Sequence, residues 1–326
     1  MKRFPVAVVG GGWSGERSIS LRSMDGVYHA LKEHGWDVRA IDLLPDAGKP
    51  KHASPSWAKK VRLSGLPRAL RQKKGTVAFL VLHGPGGEDG RLQGLLDLAG
   101  IPYTGSGALA SALAIDKAVA KALMAVAGVP VPGGIALKRG QALPTKLKYP
   151  VFIKPVAQGS ALGVSPAKNP SQARKALQQA WRWDEVALVE PYLKGRELTV
   201  AVLGTSALPV VEIVPEHAFY DFHSKYAAGG SRHLCPAPLS AAVTIKAQAA
   251  ALKAHRALGC RGFSRSDLIV DARGKLHLLE VNTLPGLTSV SLLPDAAKAI
   301  GMGYAELLEA MLELSLSEGP WRSTKA

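Results

Sequence analysis

The sequence predicts an α/β protein with a parallel sheet towards its N-terminal end and a polar hairpin towards its C-terminal end. Three observations predict it. Short apolar runs at 5–9, 37–43 and 77–82 alternate with helical patterns at 18–34 and 92–99, the order that builds a parallel sheet covered by helices. A glycine-rich turn, Gly10-Gly-Gly-Trp-Ser-Gly15, joins the first strand to the first helix, and such turns lie at the ligand-binding carboxyl edge of parallel sheets. Two further strand-like runs, 264–270 and 275–281, flank Asp271-Ala-Arg-Gly274 and carry Arg265, Asp267, Glu280 and Asn282.

Side chains alternate along a strand, so Arg265 and Asp267 share one face, as do Glu280 and Asn282. Pairing Val270 with Lys275 places Arg265 opposite Glu280 and Asp267 diagonal to it, with all four side chains pointing the same way. Two carboxylates and an amide oxygen on one face suit a hard divalent cation of the kind that accompanies nucleotide phosphates. A solvated, ion-paired hairpin is the alternative. The apolar flanks Leu268, Ile269, Val270, Leu276, Leu278 and Leu279 argue against it.

Between these ends the patterns predict a helix over 108–126, strands at 151–154 and 163–167, a helix at 171–180 and a strand at 186–190. Strands at 197–203 and 208–214 follow, then an irregular stretch at 216–238, a helix at 241–258, the hairpin and terminal helices. With 326 residues the chain exceeds one ordinary core. Three segments are expected: an N-terminal Rossmann-like domain at 1–95, a central unit at 96–190 and a C-terminal unit at 191–326.

At 47% hydrophobic and 20% charged residues the chain reads as globular. Cys235 and Cys260 are too few for a disulfide framework and fit a reducing cytoplasm. The start, Met1-Lys-Arg followed by an apolar run to Val9, breaks at Gly10 and meets Glu16 and Arg17, so a first strand is expected rather than a signal peptide. No stretch approaches the roughly 20 apolar residues that membrane insertion needs. The net charge is +16, and nine Lys or Arg with no Asp or Glu fall between Lys49 and Lys74. A loop and a surface helix are expected there. Without aromatic interleaving or a nucleic-acid motif, that segment reads as a solvated basic face and not as a specific nucleic-acid site.

The first glycine loop fits G-x-G-x-x-G, and Asp42 ends the second strand where a ribose-binding acid sits in dinucleotide folds. A dehydrogenase is therefore a competing hypothesis. Glu16, directly after Gly15, disfavours an anionic pyrophosphate and suits an ammonium group. A second loop, Gln158-Gly-Ser-Ala-Leu-Gly163, has the glycine content of a flexible phosphate cover. Lys154, ending an apolar strand, puts a cation beside it, and Lys117 follows Asp116 in the preceding helical region.

Together these segments resemble the D-alanine–D-alanine ligases of the ATP-grasp superfamily, from about Pro5 to Leu316. The resemblance is carried by 10–20, Leu82-His-Gly-Pro-Gly-Gly-Glu-Asp-Gly90, Pro102-Tyr-Thr-Gly-Ser-Gly107, Asp116-Lys117, Ile153-Lys-Pro155 and Gly159-Ser-Ala-Leu-Gly163. It continues through Val189-Glu-Pro-Tyr-Leu193, 219–226, Cys235-Pro-Ala237, Arg265-Ser-Asp267 and Leu279-Glu-Val-Asn-Thr-Leu-Pro-Gly-Leu-Thr-Ser289. Ser18, Gln158, Ala161 and Val290 depart from residues common among relatives.

The resemblance implies an ATP-grasp fold and ATP-dependent joining of two D-alanines through an acyl phosphate, for peptidoglycan precursors. It implies that Lys117 and Lys154 contact phosphates, that Glu190 and the backbone near Leu193 hold adenine, and that Glu197 holds ribose. Asp267, Glu280 and Asn282 would bind two Mg²⁺ ions, for which Mn²⁺ could substitute. Glu16 would take the first D-alanine's ammonium, with His83 and Arg265 near the reacting carboxyl. Ser160 and Tyr226 would link to Glu16 and close 216–238 over the site, and Lys225 would reach the transferred phosphate. Gly286, Ser291 and Leu292 would serve the second D-alanine. A homodimer is also implied. A ligase joining D-alanine to another acceptor, such as D-lactate, would keep the nucleotide residues and alter the closing loop.

Overall fold

The computed structural model describes residues 3–48, 52–160, 162–215 and 230–317. Its first sheet contains β1 (Val6–Gly11), β2 (Val38–Leu44), β3 (Lys59–Arg62) and β4 (Val77–Leu80), in the order β3-β2-β1-β4, all parallel. Helix α1 (Arg17–Glu33) crosses between β1 and β2. Its residues Met24, Val27 and Leu31 recur at helical spacing and enter the core with β1, β2 and β4. Two short helices, α2 (Leu66–Leu70) and α3 (Arg91–Leu98), complete this layer.

The second sheet is antiparallel, in the order β5-β8-β6-β7, from β5 (Ile135–Lys138), β6 (Val151–Pro155), β7 (Ser165–Ala167) and β8 (Val186–Pro191). Its covering helix, α6 (Pro170–Ala180), starts where Asn169 accepts from Gln172 N and proline occupies the first helical turn. Ala173, Ala176, Leu177 and Ala180 then form a stripe that joins Val151, Ile153, Ala187 and Val189 in one core.

The third sheet runs β12-β11-β9-β13-β14, with β10 paired to β9. Its strands are β9 (Arg196–Leu203), β10 (Ser206–Ala207), β11 (Val211–Pro215), β12 (Ser231–Leu234), β13 (Phe263–Val270) and β14 (Leu276–Asn282). Alternation on β9 sends Ala201 to the core of the first sheet, together with α8 (Leu292–Lys298) and α9 (Tyr304–Ser317). Val200 and Val202 go to the other side, where α4 (Ala108–Ile115), α5 (Lys117–Val126) and α7 (Ala241–Ala257) cover them. Among the described residues, no helix is long and apolar enough to cross a membrane.

Three expectations are corrected. The helix expected over 108–126 is two helices, because Asp116 leaves helical geometry and its side chain accepts from Ala118 N and Val119 N. An aspartate that bonds the next backbone amides competes with helix continuation and starts a new helix. The basic segment supplies an edge strand, β3, as well as α2. Val61 points into the core while Lys59, Lys60 and Arg62 stay exposed, so the charges guard a sheet edge.

The hairpin register also differs. Val270 pairs with Leu276, and a bulge between Asp267 and Leu268 then sets Asp267 opposite Glu280 and Arg265 opposite Asn282. The bulge leaves Leu279 unpaired on β14, so Leu279 and Glu280, though adjacent, both face the cavity described next. Residues 216–229 of the expected irregular stretch lie outside the described residues, and 231–234 are a strand.

Candidate active site

A cavity of about 910 Å³, its open mouth included, separates the second and third sheets. From β6, alternation points Phe152 and Lys154 into it, and β8 delivers Glu190. From β9 comes Glu197, paired opposite Ile269 of β13. Leu193, Ser160, Lys117, Leu279 and Glu280 complete much of the lining. The structure therefore brings together Lys117, Lys154, Glu190, Leu193 and Glu197, the residues that the resemblance assigned to bound ATP among those described.

The cations of this cavity are already engaged with carboxylates. Lys154 Nζ lies 2.6 Å from Glu190 Oε2, and Lys117 Nζ lies 3.1 Å from Glu280 Oε2 while donating to Gln158 O at 2.7 Å. A third lysine, Lys121, one turn beyond Lys117 on α5, contacts Glu190 Oε1. Burial first, and then repulsion from Lys154, lowers the Lys121 pKa to about 5. The sequence reading missed Lys121. Its i+4 spacing from Lys117 is the one signal that pointed to it.

On β13 and β14, Arg265 clamps Asp267 through two bonds of 3.0 and 2.8 Å. Thr199, opposite Asp267 on β9, donates to Asp267 Oδ1 at 2.7 Å, and Asn282 Nδ2 donates to Asp267 Oδ2 at 3.3 Å. Asp267, Glu280 and Asn282 share a face and offer carboxylate and amide oxygens, the hard donor set that Mg²⁺ takes. These residues fit the ion. A smaller recess joins Glu280, Asn282 and Lys117 to Glu88.

Glu16 precedes α1 and is buried, and Ser160 Oγ donates to its Oε1. Ser160 has φ +51°, the only positive φ at a described residue other than glycine, so backbone strain is spent on holding this contact. A Cβ at Gly84 or Gly159 would lie 2.8 or 2.7 Å from Glu16 Oε2. Two glycine backbones thus wall the carboxylate, and the second loop is docked on Glu16 instead of lying open. His83 is buried beside it, with Nδ1 3.1 Å from Leu284 O. A carbonyl only accepts, so Nδ1 carries the proton, and burial lowers the His83 pKa and keeps the ring neutral. Glu88, another residue not singled out from sequence, accepts from Gly84 N at 2.6 Å. Burial and then the Glu16 charge raise its pKa to about 8.

Asp42 does not fill the ribose role of a dinucleotide fold. Arg17 binds it through two bonds of 2.8 and 2.7 Å, and both side chains are buried. A Cβ at Gly11 would fall 1.9 Å from Asp42 Oδ1, so the first glycine loop is shaped by this ion pair. The Leu284 carbonyl that holds His83 leads to Gly286 and Ser291. There Ser291 Oγ accepts from Thr288 N at 3.1 Å, and a Cβ at Gly286 would lie 3.0 Å from that oxygen. Leu292 is buried in the first turn of α8. Lys225 and Tyr226 lie outside the described residues.

Two antiparallel sheets closing on a lysine-lined cavity, beside a parallel-sheet layer, define an ATP-grasp protein. The family described as D-ala D-ala ligase N-terminus matches residues 5–106, and that described as D-ala D-ala ligase C-terminus matches residues 132–313. The D-alanine–D-alanine ligase of Geobacter sulfurreducens is 43% identical over 316 residues, spanning 96% of this chain and 94% of that protein. The protein of that name from a Chelativorans species is 45% identical over 323 residues, with 96% and 98% covered. Among solved structures, the VanG D-Ala:D-Ser ligase of Enterococcus faecalis superposes with TM-score 0.80 at 31% identity, covering 96% of this chain and 100% of that one. The D-alanine–D-alanine ligase of Bacillus anthracis complexed with ATP gives 0.79 at 28% identity, covering 96% and 98%. The chain belongs to the D-alanine–D-alanine ligase family.

Proposed function

We propose that the protein joins two D-alanines into D-alanyl-D-alanine, converting ATP to ADP and phosphate, as a step in peptidoglycan precursor synthesis. The observation that carries this reading is the placement of a buried carboxylate, Glu16, beside a lysine-lined cavity and linked to it by Ser160. An ammonium held at Glu16 leaves its own carboxylate directed towards Arg265 and the phosphates. In this reading residues 1–95 form the substrate domain, 96–190 and 191–326 grasp the nucleotide, and the protein works in the cytoplasm as a homodimer.

A carboxylate is a poor electrophile, so the first D-alanine's carboxylate oxygen attacks the γ-phosphorus and displaces ADP. The product is a D-alanyl phosphate. Lys117, Lys154 and Lys225 offset the phosphate charges during that transfer, while Glu190, the backbone near Leu193 and Glu197 hold adenine and ribose. Asp267, Glu280 and Asn282 would hold Mg²⁺, which supplies Lewis-acid charge at the phosphate oxygens when bound. The amine of the second D-alanine, its carboxylate received near Gly286, Ser291 and Leu292, then attacks the acyl carbon. Arg265 faces the tetrahedral oxyanion, with His83 near the reacting carboxyl, and phosphate leaves. Ser160 and Tyr226 keep Glu16 in place and close the loop, excluding the water that would hydrolyse the intermediate.

The test is ADP release from ATP with D-alanine, L-alanine or NADH supplied, with the product identified by mass. The reading expects Mg²⁺-dependent ADP and phosphate release with D-alanine alone, and D-alanyl-D-alanine as product. Equal turnover with L-alanine, or hydride transfer from NADH, overturns it.

A further inference from the structure

Helix α5 presents two lysines one turn apart, and they face different ends of the cavity. Lys117 reaches Gln158 O and Glu280, at the end assigned to phosphates. Lys121 is outside the cavity lining, is only 6% exposed, and touches Glu190 Oε1 from behind the wall. The other oxygen of that carboxylate, which is 4% exposed, holds Lys154 Nζ at 2.6 Å. Glu190 therefore lies between the Lys121 amine behind the cavity and the Lys154 ammonium inside it.

We infer that Lys121 is a positioning residue for the nucleotide: it fixes the Glu190 carboxylate and, through it, the Lys154 ammonium in the geometry that receives phosphate. This rests on the ATP reading above. A buried carboxylate with a single cation draws that cation into the tightest pairing available, because charge is poorly screened away from water. With the Lys121 amine set against Oε1, the second oxygen anchors Lys154 without consuming its whole charge. Lys154 then projects from β6 beside Phe152, on the face that alternation turns towards the cavity. Without Lys121, either Glu190 pulls Lys154 back or it takes a proton and releases it. Both outcomes weaken phosphate binding, and neither touches the pocket formed by Glu16, Ser160 and His83.

The test measures MgADP binding by calorimetry and steady-state kinetics in Lys121→Met and Lys121→Arg. The Met variant should bind MgADP about tenfold more weakly and raise the KM for ATP by a similar factor, which corresponds to 1.4 kcal/mol. Its kcat and its KM for D-alanine should stay within about threefold of the parent, and the Arg variant should regain most of the affinity. Parental MgADP affinity in a Met variant that merely melts earlier would assign Lys121 a purely structural role. The pair Lys121→Gln with Glu190→Gln leaves no Glu190 charge without Lys121 and guards against simple unfolding. It should lose about tenfold or more in MgADP affinity, because Lys154 has lost its anchor and adenine the Glu190 contact, and parental affinity there overturns the inference. A parent that binds MgADP but makes no dipeptide would sink the ligase reading alone, since the binding arm still decides Lys121. A parent that binds no MgADP would sink both.

Discussion

Two clusters of buried charge lie in this molecule, and they are built differently. Arg17 and Asp42 form one cation on one anion, fork to fork, and the remaining guanidinium bonds go to Gly12 O and His52 O, both at 3.1 Å. Neither residue lines the nucleotide cavity or the recess beside it. The second cluster sets three lysines, Lys117, Lys121 and Lys154, on two carboxylates, Glu190 and Glu280, at the wall of a cavity. A matched, sealed pair cannot exchange partners, so it acts as scaffold. A cluster that is open on one side, where Lys117 and Lys154 line the cavity, is poised to accept further negative charge. The difference separates a structural ion pair from an anion site without reference to motif.

The largest effect should come from breaking the sealed pair. Arg17→Met leaves Asp42 as a buried, uncompensated charge and should cost about 3–5 kcal/mol of stability, read from urea unfolding. An unchanged midpoint would mean that water or another cation reaches Asp42, and the scaffold side of the comparison would collapse.

On the open side the loss should appear in turnover instead of stability. Asp267→Asn and Glu280→Gln each remove charge from the oxygen face and should slow D-alanine ligation by about a hundredfold or more. Their melting temperatures should stay close to the parent's. Near-normal turnover in either variant at saturating Mg²⁺ would make the β13–β14 face structural, like Arg17–Asp42.

A smaller effect sharpens the role of Ser160 on Glu16. Tyr226→Phe keeps the ring and deletes one hydroxyl, worth about 0.5–1.5 kcal/mol, so ligation should slow by about 2- to 15-fold. Parental kinetics across a full D-alanine titration would leave the Ser160–Glu16 contact complete without Tyr226.

The smallest effect should follow from charge that belongs to neither cluster. Lys59 and Lys60 lie exposed on an edge strand, and Lys73 pairs with Asp37 at the surface. Replacing Lys59, Lys60, Lys73 and Lys74 by Gln should leave turnover within about threefold, because exposed charges act through screened fields. Near-complete loss in a folded variant would show that the basic segment feeds the site.

Much of this was written into the chain locally. Alternation on β6 and β13 placed Lys154 and Asp267 on their faces, helical spacing marked the buried stripes of α1 and α6, and ordered motifs gathered the nucleotide residues. Periodicity and turn chemistry act between neighbours, so a sequence states them directly. What only the tertiary structure decided involves residues far apart in the chain. Arg17 claimed Asp42 and removed it from any ribose role. The bulge at Leu279 moved the hairpin register, because β13 must pair with β9 and β14 together while Leu278 stays in the core. The cap at Asp116 breaks the single helix expected over 108–126, and by restarting the helix there it turned Lys121 against Glu190, a strand away. Such contacts are set by which charges the packed core leaves without water, and that is a property of the assembled fold.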